Sequence, residues 1–140
     1  MERFARGVEN RRAELQHFLA HNRHAGRLTL GCGASTRGNV VLQYCGFGPA
    51  DLPAIAEKHP GKLGCVTPGS RLPIISEAEA RAQDPDCFLV FPWYYREEIA
   101  RREARFLDRG GQLVFPLPHL EIVEYDSAPV ECEVPLRMIA

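Results

Sequence analysis

At 140 residues, with 45% apolar and 25% charged side chains, the chain has the composition of one soluble globular domain. Its 17 basic and 18 acidic residues leave a formal charge of -1, so no global field draws in nucleic acid or an anionic membrane. No window is apolar enough to span a bilayer, and the opening MERFARGVENRR lacks the apolar core of a secretion signal, which points to the cytoplasm.

In chain order, Phe4, Val8, Leu15, Phe18 and Leu19 share one face of a helix that ends near Asn22. An apolar run at 28–32 precedes the glycine-rich stretch GCGASTRGN, residues 31–39, and a helix is predicted to start near Thr36. Gly46 and the Gly48-Pro49 pair stop that helix. A brief strand is predicted at 54–57, followed by the irregular stretch KHPGKLGCVTPGSRLP, residues 58–73. Ser76 caps a short helix that opens with Glu77 and Glu79. The continuous apolar run CFLVF, residues 87–91, reads as a buried parallel strand.

A second long helix is predicted over 94–107, with Glu97 and Glu98 at its start and Arg101, Arg102 and Arg105 toward its end, as the helix dipole favours. Strands follow at 112–115 and 120–125, the latter expected at the sheet edge. Strands alternating with helices predict an α/β, Rossmann-like three-layer domain over residues 1–126, with a largely parallel sheet and an N-terminal helix. Residues 127–140, which carry Pro129 and Pro135, are expected to form a partly disordered tail.

The glycine stretch admits three phosphate-binding templates. Gly33 and Gly38 have the Walker spacing, but Asn39 and Val40 stand where that loop needs its lysine and hydroxyl, which excludes an NTPase. Gly31 and Gly33 fit the dinucleotide fingerprint, but its third glycine falls on Thr36; Glu57 stands near the expected acidic position. A general anion site at a helix N-terminus remains, with hydroxyls from Ser35 and Thr36 and a charge from Arg37. Against it stands a plain alternative, in which the glycines only make a tight strand-to-helix turn.

Other residues divide in the same way. Trp93, Tyr94 and Tyr95 follow a strand end, where they either stack on a ligand or cap the core. Lys62 can reach a phosphate or stay solvated, and Asn39 can bond a ligand or its own helix. His17, His21 and His24 have helical spacing, but no carboxylate or cysteine completes a metal site. The five cysteines form no CxxC pair; Cys87 is expected to be the most buried, and Cys65 to lie in the irregular stretch.

Taken together, several segments resemble one family. GASTRGN is similar to a GAS-x-KGN loop, and LQYCGFGP, AEKHPGKLGCVTPGSRLPIIS, DPDCFLVFPWYYREEI and DRGGQLVFPLP follow in the family's order. The resemblance spans about residues 1–123 and is to the C-terminal domain of S-adenosylmethionine-dependent C-methyltransferases, many of which act on nucleotide-linked sugars. It implies a substrate-side domain that helps close over a nucleotide sugar, and together with the loop chemistry above it makes Gly33, Ser35, Thr36, Arg37, Gly38, Asn39, Glu57, Lys62 and Trp93 the expected substrate-binding positions. It also implies that full-length members carry a zinc-binding region and a methyl-donor domain. Arg37 replaces the family's usual lysine, and Glu57 stands where many members have Asp.

This sequence shows no second glycine loop for a methyl donor, no cysteine cluster for zinc and no block of acid/base residues. Neither catalysis nor a cofactor is therefore expected of the chain alone, and a domain or chain bearing the donor site is an expected partner. The alternative is a stand-alone nucleotide-binding or regulatory module; a nicotinamide-dependent oxidoreductase is disfavoured by the misplaced third glycine.

Overall fold

The computed structural model describes residues 2–125 and 136–139. The chain runs α1 (Glu2–His24), β1 (Thr29–Cys32), α2 (Thr36–Cys45), β2 (Ile55–Glu57), β3 (Ile74–Ser76), α3 (Glu77–Ala82), β4 (Cys87–Val90), α4 (Arg96–Arg102), α5 (Ala104–Asp108), β5 (Gln112–Phe115), β6 (Glu121–Tyr125) and β7 (Leu136–Ile139). Short 3-10 turns stand at Pro60–Lys62 and Trp93–Tyr95.

The seven strands lie in the order β3-β2-β1-β4-β5-β6-β7. The first five in that order run parallel; β6 and β7 are antiparallel additions. Side chains of a strand alternate between faces, and β4 shows what that dictates in a fully buried strand. Cys87, Leu89 and Phe91 enter the core under α1 and α2, whereas Phe88 and Val90 enter the core under α3, α4 and α5. Both cores need a filled β4, so the run has no polar residue. The expected three-layer α/β architecture is what forms.

Local chemistry sets the element ends. Ser35, in extended conformation, accepts a hydrogen bond from the Gly38 N–H at 3.0 Å and opens α2. Gly46, with a φ of 69°, closes α2, and the Phe47 N–H reaches back to the Leu42 carbonyl. At α3, Ser76 and Glu79 form a reciprocal capping box. On α1, Leu15 and Leu19 are buried and Phe18 is half-buried, so this part of the apolar face is covered by the domain's own core. The side chains of Phe4 and Val8 lie outside the described residues.

Three expectations need correction. No strand is expected at 74–76, directly after the irregular stretch 58–73, yet β3 forms there and pairs with β2 along Ile55–Ile74, Ala56–Ile75 and Glu57–Ser76. The helix predicted over 94–107 is a 3-10 turn followed by α4 and α5, broken at Glu103 (φ -93°, ψ 19°). Glu103 is only 4% exposed, held from inside the fold by Arg81 at 2.7 Å and Arg102 at 3.4 Å, and the helix yields at this charge. Finally, β6 is not an edge, because β7 pairs along it. Of the expected tail, residues 127–135 and 140 lie outside the described residues.

Candidate functional site

In an open α/β sheet, ligands bind beyond the carboxyl ends of the strands, where the strand order reverses. Here that reversal falls between β1 and β4. β1 leads through Gly33 and Ala34 into α2, and β4 leads through Phe91 and Pro92 into the turn Trp93–Tyr95. The glycine loop and the aromatic run therefore meet at one edge of the sheet.

The glycines of the loop serve close packing. Gly33 has a φ of 88°, and a Cβ there would stand 2.7 Å from Cδ of Pro92. Gly38 is buried in the first turn of α2, where a Cβ would stand 2.8 Å from Cγ of Phe91. These contacts bring the helix N-terminus down onto the end of β4. Ser35 is occupied as the cap, and its carbonyl accepts the Asn39 N–H at 2.9 Å. The N–H groups of Thr36 and Arg37 belong to the first turn, which leaves them without intrahelical acceptors. Both side chains are exposed. The Arg37 guanidinium lies over the Tyr94 ring, 5.0 Å from its centroid.

Glu57 and Lys62 reach the same loop but turn their polar groups on the chain itself. Glu57 Oε2 accepts the Ala34 N–H at 2.8 Å, and its Oε1 accepts the N–H groups of Lys58 and His59 at 2.9 and 3.1 Å. Lys62 Nζ donates to the Ala34 carbonyl at 2.6 Å and lies 3.8 Å from Glu57 Oε2. Ala34 is thus held at both its N–H and its carbonyl. Burial pushes the Glu57 carboxyl upward, but the N–H groups of His59, Ala34 and Lys58, together with Lys62, outweigh it and hold the group below its ordinary range.

Trp93 is half-buried against the α3–α5 core, edge-on to Tyr94 at 6.0 Å. Tyr94 and Tyr95 are the exposed aromatics of the run, 50% and 56% accessible. Core capping is therefore Trp93's position and not that of Tyr95. Of the nine positions singled out from sequence, eight surround the glycine loop, and Trp93 stands apart along the aromatic run.

Sequence reasoning missed a cavity of about 390 Å³ on the α3/α4 side of the same edge. Gly33 and Pro92 form its strand-edge wall; Glu77 enters from α3, and Tyr95, Glu98 and Arg102 from the turn and α4. Arg102 lies 3.4 Å from both Glu77 and Glu103, tying the two helices together. Cys32 is in the cavity wall, and burial, helped by Glu103 and Glu77 against Arg102, pushes its thiol up to about 12. A thiol so held is protonated at neutral pH and is no nucleophile. Glu77 and Glu98 were visible in the sequence only as helix-start charges; the reversal of strand order was the signal that could have placed them here. Among the described residues no group of histidines, cysteines and carboxylates could hold a metal ion, and no helix is long and apolar enough to cross a membrane.

Comparison with known proteins agrees with this architecture. Over 124 residues the chain is 32% identical to the C-methyltransferase NovU of Streptomyces niveus, covering 89% of this chain but 30% of that relative. Residues 1–118 match the family described as the C-methyltransferase C-terminal domain, and the chain belongs to that family.

Proposed function

We propose that this chain is the substrate-side domain of an S-adenosylmethionine-dependent C-methyltransferase and that its glycine loop binds the diphosphate of a nucleotide-linked sugar. The observation that carries the reading is the N-terminus of α2. It is capped by Ser35, anchored by Glu57 and Lys62, and leaves the N–H groups of Thr36 and Arg37 and the Arg37 side chain available at the strand edge. Such an end attracts anions through its free N–H groups and its dipole, and arginine can grip a phosphate with two parallel hydrogen bonds. Ser35, Gly33, Gly38, Glu57 and Lys62 then build the cradle, while Thr36 and Arg37 touch the ligand.

Methyl transfer to carbon requires a base to generate a carbanion and a donor held against it. S-adenosylmethionine, which supplies the methyl group in this reading, does not fit the glycine loop. The third glycine of the fingerprint is Thr36, and the acid that would take the ribose hydroxyls, Glu57, has both oxygens engaged. The chain spans 30% of its relative's length, and we assign the donor and the base to the remainder of such an enzyme. The chain alone is then a binding domain without turnover.

The test is a thermal-shift titration with a thymidine-diphosphate sugar, free thymidine diphosphate and S-adenosylmethionine. A ligand at a hundred times its Kd stabilises the fold by about 2.7 kcal/mol. Both diphosphates are expected to raise Tm, and Arg37→Ala to cut the rise to about half or less, with no response to S-adenosylmethionine. A rise that is undiminished in Arg37→Ala would overturn the assignment of the cradle. A second reading, a non-catalytic nucleotide-binding or regulatory module, draws on the covered α1 face at Leu15 and Leu19.

A further inference from the structure

We infer that the cavity on the α3/α4 side of the strand edge is a second binding site, for an uncharged ring bearing hydroxyl groups, distinct from the anion cradle of the glycine loop. Its volume of about 390 Å³ suits a small ligand, and it opens where the strand order reverses. Its lining excludes a diphosphate: three carboxylates, Glu57, Glu77 and Glu98, stand against two cations, Lys58 and Arg102. Arg102 is already engaged by Glu77 and Glu103, so its charge is matched before any ligand arrives. The second charge of a phosphate would be added to a surface already in excess of negative groups.

What the cavity offers is hydrogen-bond acceptors. Glu98 forms no ion pair among the described residues, and Glu77 has one oxygen outside its contact with Arg102. Behind them, a void of about 10 Å³ shares Cys32, Ala56 and Glu77 with the cavity wall and is lined by Glu103. Oε2 of Glu103, on a residue 4% exposed, is buried there without a hydrogen-bond partner among the described residues. An orphaned carboxylate oxygen beside a void of one water's size calls for a donor, and a water bridging it to a ligand hydroxyl supplies one. Tyr95, 56% exposed, adds a flat wall for a ring face.

The site also resolves what replaces Glu57. In a dinucleotide fold the acid at the end of β2 takes ring hydroxyls; here that acid clamps the loop, and Glu77 and Glu98 bring equivalent acceptors from the opposite side. A ring with hydroxyls has two sources in a nucleotide sugar, the furanose of the nucleoside and the pyranose of the sugar. The chemistry that recognises them is the same. This inference shares the strand edge with the proposed function but needs neither the cradle nor methyl transfer to hold.

The experiment is an NMR titration of the ¹⁵N-labelled chain with uridine, methyl glucoside and inorganic diphosphate, each taken to tens of millimolar. One of the two ring probes is expected to shift the amides of Gly33, Lys58 and Ile99 saturably, and which one does so identifies the source. Glu98→Gln, a change at an exposed position, is expected to weaken that ring roughly tenfold or more, the worth of a hydrogen bond to a charged acceptor. Arg37→Ala is expected to leave the ring's affinity unchanged. Diphosphate is expected to shift Thr36 and Arg37 instead and to ignore Glu98→Gln; its failure to bind would sink the cradle and leave this site standing. The inference is overturned if neither ring saturates, if ring-induced shifts centre on Thr36 and Arg37, or if Glu98→Gln leaves ring binding intact.

Discussion

Two regions face each other across the end of β1, and they use polar groups in opposite ways. At the glycine loop three polar side chains are spent on holding the loop itself. Ser35 caps α2, both oxygens of Glu57 are engaged, and Lys62 is bound to the Ala34 carbonyl. In the α3/α4 cavity Glu98 forms no ion pair among the described residues, and in the small void behind it Glu103 Oε2 has no partner among them. The motif that looks most like a ligand site is thus mostly scaffold, leaving Thr36 and Arg37 free. The cavity without a motif keeps its acceptors. A conspicuous sequence signature marks where the backbone must be held, and holding it consumes side chains.

The comparison breaks most directly at Gly33. Alanine there would carry a φ of 88° and press its Cβ to 2.7 Å from Pro92. Left-handed backbone and overpacking each cost on the order of 1–3 kcal/mol, so Gly33→Ala is expected to destabilise the domain by about 3 kcal/mol. Urea unfolding would register this as a lower midpoint at unchanged slope. A loss below about 0.5 kcal/mol, the range of ordinary surface changes, would mean that the turn has another conformation.

Glu57→Gln is the next largest. The amide keeps the shape but gives up the charge that three N–H donors and Lys62 converge on, and a loss of about 1–3 kcal/mol at neutral pH is expected. The pH dependence follows from the sign of the shift. Glu57 is held below the ordinary carboxylate value in the folded chain, so the unfolded chain takes up its proton first on acidification. Its stabilisation is complete above the ordinary value and is lost as pH falls through the folded one. The wild type should therefore lose more stability than Glu57→Gln between neutral pH and acid, measured by denaturation at several pH values. Parallel curves would remove Glu57 from its role as the clamp.

The loop's position was legible in the sequence; its division of labour was not. Ser35 and Gly46 mark the ends of α2 through local hydrogen bonds, and the CFLVF run marks β4 because burial on both faces leaves no room for alternation. Glu57 and Lys62 meet Ala34 from 23 and 28 residues away, and nothing local distinguishes a clamp from a ligand contact. β3 escaped notice because its three residues, Ile74–Ser76, follow Pro73 directly and end on the cap of α3, too few to show a period. The break at Glu103 depends on Arg81, 22 residues earlier, and on a burial that no helical pattern contains. Glu77 and Glu98 have a sufficient local explanation in the helix dipole, which conceals that the fold brings them into one cavity.

The two smallest effects test what the loop keeps free. Arg37 is exposed and, among the described residues, its guanidinium is engaged only by an aromatic face, so Arg37→Ala is expected to change stability by less than about 0.5 kcal/mol. The same change should weaken a nucleoside diphosphate by roughly tenfold or more, as expected for a lost charge-assisted hydrogen bond. Tyr94→Ala probes the level below. Tyr94 touches no phosphate in this reading but positions the guanidinium, and a cation–π contact at an exposed site contributes about 0.5–1 kcal/mol, so affinity should fall by about two- to fivefold. In the double variant Arg37→Ala with Tyr94→Ala, that further loss should vanish, because nothing is left to position. Calorimetric titration of thymidine diphosphate into the four proteins measures the coupling. Full additivity would mean that Tyr94 meets the ligand itself, which would move the aromatic run from support of the cradle to part of it.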